Sequence, residues 1–94
     1  MMSRMEVKEI AENYDYFMMS TDSEYREYEG TMPETERLKA IMASFENKDL
    51  IIQDIEYIEQ GLYMDIYNGS AYDYAVDLLA DMKDVYEFYS SGRR

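Results

Sequence analysis

One proline and four glycines are the only strong breakers in this 94-residue chain, and between them apolar residues recur at intervals of three and four. That spacing puts side chains on one face of an α-helix, so amphipathic helices are what the chain is patterned to form. The dividing marks are Gly30, Pro33, Gly61, Asn68-Gly69 and Gly92.

In the first stretch, Ser3 and Glu6 have the S-x-x-E spacing of a capping box, and Met5, Ile10, Tyr14, Phe17 and Met18 follow at helical intervals, with a break between the first two. They predict a helix over about residues 4–19. The next stretch, "TDSEYREYEG", is ambiguous: Thr21 and Glu24 form a second capping pair, but Gly30 leaves room for only two turns. Pro33 suits a first helical turn, where its missing N–H costs nothing. Leu38, Ile41, Met42 and Phe45 then predict a helix over about 33–46. In the third stretch Leu50, Ile51, Ile55, Ile58, Leu62 and Ile66 keep the helical rhythm through Gly61. Either one helix runs to Tyr67, or it stops at Gln60 with Gly61 as its cap. In the last, Ser70 is the expected cap and Ala75, Leu78, Leu79, Met82, Val85, Tyr86 and Tyr89 the buried stripe, with Gly92 as the stop.

The pattern predicts one mainly α domain over residues 1–94, with three to four helices and unstructured ends at 1–3 and 92–94. Its core should comprise Ile51, Ile55, Ile58, Leu62, Leu78, Leu79, Met82 and Val85, joined by Leu38, Ile41 and Phe45. An α+β alternative competes. "LYMDIY" alternates, and Asn-Gly between alternating segments is a strong hairpin signal. A β-hairpin near residues 62–75 would move the start of the last helix to about Val76.

Charge sets this chain apart. It has 21 acids against 9 bases, a net charge of −12, and residues 49–92 hold ten acids and a single base, Lys83. Asp49, Asp54, Glu56, Glu59 and Asp65 mark one helix, and Asp73, Asp77, Asp81, Asp84 and Glu87 the next. Tyr57, Tyr63, Tyr67, Tyr72 and Tyr74 lie among them. Like charges at i,i+4 cost a helix a few tenths of a kcal/mol per pair. A surface built for solubility alone mixes both signs, so the missing counter-charges call for a reason. A field of this sign repels nucleic acid and anionic membranes and attracts basic partners.

An i,i+4 row sets one carboxylate every ~6 Å along a helix. A DNA strand sets one phosphate every ~3.4 Å of its axis. Two staggered acidic rows therefore approach the charge spacing of one strand, and tyrosines add flat amphipathic contact area. In this character the chain resembles the acidic DNA-mimic inhibitors of phages and mobile elements, among them antirestriction and anti-CRISPR proteins. The resemblance lies in overall character, and no family motif carries over. It implies a non-enzymatic inhibitor without a cofactor that blocks the DNA- or RNA-binding site of a basic partner, most naturally a host defence nuclease. The expected contact residues are Asp54, Glu56, Glu59, Asp65, Asp73, Asp77, Asp81 and Asp84, with Tyr63, Tyr67, Tyr72 and Tyr74.

Two other classes remain open. One is an acidic interaction module, such as an antitoxin that binds a basic toxin. The other rests on Glu56-x-x-Glu59 and Asp81-x-x-Asp84, i,i+3 pairs that could share a Mg²⁺ through oxygen ligands. This pattern loosely resembles the MazG-type nucleotide pyrophosphohydrolases, which are all-helical. The chain departs from that family in lacking its Gly-Glu-rich helix and in having almost no Lys or Arg nearby to hold phosphates.

The chain contains no Cys and no His, which removes disulfides, thiol catalysis and the commonest general base. "DIYNGSAYD" has the wrong ligand positions for a calcium loop, and no basic stripe suits direct nucleic-acid binding. No apolar run reaches the ~18–20 residues of a membrane span, and "MMSRMEVKEI" lacks a signal region, so a cytoplasmic protein is expected. The nine methionines suit core packing. Leftover Tyr and Met surface makes a homodimer plausible.

Overall fold

The computed structural model describes residues 2–91 and contains five helices: α1 (Arg4–Thr21), α2 (Ser23–Glu29), α3 (Glu34–Phe45), α4 (Lys48–Tyr63) and α5 (Ser70–Ser91). Helix α1 packs against α2, α3 and α5, and α4 packs against α3 and α5. Of the ends expected to be unstructured, residues 1 and 92–94 lie outside the described residues, as does the expected stop at Gly92. Met2 packs against the core, and Ser3 caps α1.

The capping box is present in both directions: Ser3 N–H donates to Glu6 Oε1 at 2.8 Å, and Glu6 N–H donates to Ser3 Oγ at 3.2 Å. The ambiguous second stretch is the short helix α2, but its cap is Asp22, whose Oδ1 accepts from Tyr25 N–H at 3.1 Å. Thr21 is the last residue of α1, and its hydroxyl donates to the Phe17 carbonyl.

Every residue expected in the core is buried or, for Leu62 and Leu79, partly buried against it. Helix α1 differs in one position. Met5 is 73% exposed, and Val7 is fully buried in its place. Val7 is three residues before Ile10 and seven before Tyr14, so it continues the stripe that Met5 interrupts.

No strand occurs among the described residues, so the hairpin near 62–75 does not form. Helix α4 runs through Gly61 and ends at Tyr63, between the two expected stops. A type I′ turn needs φ above zero at both central residues, and of Asn68-Gly69 only Gly69, at +59°, meets this. Asn68 and Gly69 instead lead into α5, accepting from the N–H groups of Ala71 and Tyr72 at 3.1 Å each. Ser70 is thus the first helical residue and not the cap before it. Gly61 is buried because the Tyr67 ring lies on it. A Cβ at Gly61 would stand 2.5–2.7 Å from that ring's outer atoms, so no larger residue fits without moving the ring.

The N-terminal half is tied by a polar contact that the periodicity did not reveal. Arg37 on α3 meets Asp15 on α1 with Nε–Oδ1 at 2.8 Å and Nη2–Oδ2 at 3.1 Å. The Tyr25 hydroxyl of α2 donates to the same Asp15 oxygen at 2.9 Å, and Arg37 Nη1 donates to the Met32 carbonyl at 2.6 Å. Both charged side chains are nearly buried, at 11% and 5% exposure. Replacing Arg37 with Met should remove about 3–5 kcal/mol, because Asp15 is left charged and unpaired. Adding Asp15→Leu should recover much of that loss. Urea unfolding followed by circular dichroism checks both, and a single-variant loss below about 1 kcal/mol would contradict the assignment.

Candidate partner-binding surface

Helices α4 and α5 are joined by residues 64–69 and lie antiparallel, with Glu59 Oε2 2.9 Å from Lys83 Nζ across their seam. Ile51, Ile55 and Ile58 of α4 and Ala75, Leu78, Met82 and Val85 of α5 face the core. The periodicity that buries these residues turns the acidic positions outward. Asp73, Asp77 and Asp84 are exposed, and Asp81 is half-buried at the edge of the stripe.

The four carboxylates do not form one row. Asp77 and Asp81 line a shallow groove of about 290 Å³ against α1, with Asn13, Tyr74 and Leu78. Asp84 lines a second, of about 490 Å³, against α4, with Glu56, Glu59, Lys83 and Glu87 above Ile52, Ile55 and Tyr86. The outer face of α5 therefore separates two acidic grooves. Its carboxylates still sense one another: burial first, then the charges of Asp84 and Asp77, raises the pKa of Asp81 above the ordinary aspartate range.

Three expected contact residues lie elsewhere or carry another role. Asp54 is half-buried between α4 and its neighbours, where it accepts from Ser44 Oγ at 3.3 Å and from the Tyr14 hydroxyl. Burial raises its pKa despite those bonds. It sits on the side of α4 away from Glu56 and Glu59, because two residues along a helix turn the side chain by about 200°. Tyr67 is 5% exposed, with its ring edge-on to Phe17 at 5.0 Å, so it is a core residue. Tyr74 is half-buried: its ring stacks on Phe17 at 6.0 Å, and its hydroxyl donates to Asn13 Oδ1 at 3.4 Å. By contrast, Tyr63 is 89% exposed and Tyr72 is also exposed.

Asp65 is exposed and adopts φ +58°, the only positive value among described non-glycine residues. Ile66 N–H donates to the Gly61 carbonyl and Asp65 N–H to the Leu62 carbonyl, each at 3.1 Å. These two bonds make a Schellman ending, in which the left-handed position usually belongs to glycine.

A further polar contact was not expected from sequence. The Tyr57 hydroxyl of α4 donates to Asp22, the residue that caps α2. That bond holds the Asp22 carboxyl below its usual range and is the main cause raising the Tyr57 phenol above its own. Among the described residues no three potential ligands converge to hold a metal ion. The pairs Glu56/Glu59 and Asp81/Asp84 do not face each other as wholes, since Asp81 lies in the α1 groove. No helix among the described residues is long and apolar enough to cross a membrane. No protein-family model, curated protein or solved structure matches the chain.

Two outcomes follow from these charges. Asp65 combines a left-handed backbone with a negative charge at a helix C-terminus, and each is unfavourable by a few tenths to about 1 kcal/mol. Asp65→Gly should therefore raise the melting temperature by about 4 °C in differential scanning calorimetry. Folded Asp81 holds its proton more tightly than the unfolded chain does, so ionising it weakens the fold. That penalty is complete above the folded-state pKa and absent below the ordinary aspartate value of about 3.9. Asp81→Asn should stabilise the protein at pH 7 by a few tenths of a kcal/mol, and the gain should vanish near pH 3. A gain that persists at pH 3 would show a cause other than charge.

Proposed function

We propose that this protein is a non-enzymatic inhibitor that presents phosphate-like negative charge to a basic nucleic-acid-binding protein and blocks its DNA or RNA site. One observation carries the reading. The exposed side of the α4–α5 hairpin presents Glu56, Glu59, Asp73, Asp77 and Asp84, with Asp81 at its edge, and Lys83, the only base in α5, is already engaged by Glu59. A partner with Lys or Arg arranged for phosphates meets Glu56, Asp73, Asp77 and Asp84, none of which is in an ion pair among the described residues. Rigid helices preset the carboxylates, so little ordering is needed on binding. Steric competition is the whole mechanism. The natural target class is a host defence nuclease of the restriction or RNA-guided type, met in the host-cell cytoplasm.

The neutraliser reading, in which the acidic surface binds a basic toxin, differs in one observable, since nucleic acid does not compete there. The test is to immobilise the protein, bind host proteins from lysate, and elute separately with salt and with duplex DNA. A target released by both supports mimicry, and the double reversal Asp77→Lys with Asp81→Lys should lower its affinity at least about tenfold while flattening the salt dependence. A specific target that salt releases and neither DNA nor RNA displaces would overturn mimicry in favour of neutralisation.

A further inference from the structure

The seam between α4 and α5 changes character along its length. At one end Glu56 and Asp84 lie above Ile52 and Tyr86. The Glu59–Lys83 bridge closes its middle. Beyond the bridge exposed apolar side chains join the carboxylates of Asp65 and Asp73. Tyr63 follows Glu59 by one turn, Val76 precedes Lys83 by two turns, and Tyr72 precedes Val76 by one more. All three are exposed, and the loop that joins the helices adds Met64 at 61% and Ile66 at 57% exposure beside them. Single exposed apolar residues are ordinary, but a cluster at the end of a charged groove marks an interaction surface.

We propose that this groove seats an amphipathic helix of the target, basic at one end and apolar at the other. The inference rests on the reading of the protein as a binder of basic partners, and it adds what recognises them. Charge complementarity selects the occupant. A second copy of this chain, with its net charge of −12, would bring carboxylates against the acidic end, whereas a segment with Lys or Arg there is attracted. The span from Tyr72 to Glu87 is about 22 Å at 1.5 Å per residue, the length of a helix of roughly 15 residues. A helix laid in a groove with apolar anchors at i, i+3 and i+4 is a common recognition mode. The acidic end sets the approach of the partner, and the aromatic and aliphatic corner sets how long it stays.

The probe is a pair of synthetic helical peptides of about 15 residues and equal charge. One has lysines in one half and a leucine stripe in the other, and the second has serines in place of the leucines. Fluorescence anisotropy against the full chain at about 150 mM salt measures both. The leucine peptide should bind about tenfold more tightly, and Tyr63→Ala with Val76→Ser should erase that preference. Both substituted side chains are exposed, and far-UV circular dichroism verifies that helicity is kept. Equal affinity for the two peptides, or a preference that survives the double substitution, would overturn the groove and leave the acidic-surface reading intact. If neither peptide binds even at low salt, both readings fail together.

Discussion

Arg37 and Asp15 meet where water barely reaches, and the N-terminal half of the molecule is arranged around them. Burying a charge costs several kcal/mol even after relaxation, so such a pair persists only where further hydrogen bonds complete it. Here they do. Asp15 also accepts from Tyr25, and Arg37 also donates to the carbonyl of Met32. The network links α1, α2, α3 and the turn between the last two. It matters most for α2, which has no buried residue and so little apolar packing to hold it. Its remaining ties are polar as well: Asp22 caps it, and Tyr57 of α4 binds that cap.

This arrangement gives the uneven charge a structural logic. Four of the six bases in residues 1–48 are engaged within that half: Arg37 with Asp15, Arg4 with Glu46, Lys8 with Glu12, and Arg26 with the Met19 carbonyl. The exposed pairs among these contribute little stability, in the range of about 0–1 kcal/mol each, but they balance local charge. In the second half only Lys83 plays that part, and the hairpin is left anionic. Magnitudes show why the fold tolerates this. Each like-charge neighbour on α5 costs a few tenths of a kcal/mol, whereas burying a Leu, Val or Met side chain contributes about 1.5–3 kcal/mol. The stripe of Leu78, Met82 and Val85 outweighs the repulsion on the opposite face, so an acidic row remains compatible with a firm helix.

Much of the fold was legible because helix period and capping chemistry are local. Ser3 with Glu6, and the stripes of α3, α4 and α5, carry their meaning within a few residues. What stayed hidden depends on contacts between distant positions. Asn68-Gly69 has the composition of a hairpin turn, but the outcome is decided by Tyr67, which seats its ring on Gly61 and folds the chain back as a helical hairpin. The same contact removes Tyr67 from the surface. Asp54 reads as one more outward carboxylate until Ser44 and Tyr14 are seen beside it. A sequence signal did exist for the ion pair. Asp15 adjoins Tyr14 and precedes Met18 by three in the apolar stripe of α1, and Arg37 sits four before Ile41 in that of α3. Opposite charges intruding on two apolar faces are a reason to expect a buried pair.

A binding surface made of charge alone faces a problem of selectivity, since every basic protein in a cell is attracted to it and salt at physiological strength screens it within about 8 Å. The hairpin departs from a pure charge surface in two ways. Its carboxylates are divided between two grooves, so a partner of the proposed kind would have to match a shape as well as a sign. Its looped end adds exposed Tyr63, Met64 and Ile66 beside Asp65, which keeps a left-handed backbone that glycine would adopt without strain. Local strain of this kind gathers where a surface is shaped for something other than stability. The same turn that exposes these side chains follows from Tyr67 packing on Gly61, so the apolar corner is presented by the core itself. On the proposed reading, long-range attraction and short-range fit would both belong to one hairpin, with charge along its length and exposed apolar side chains at its end.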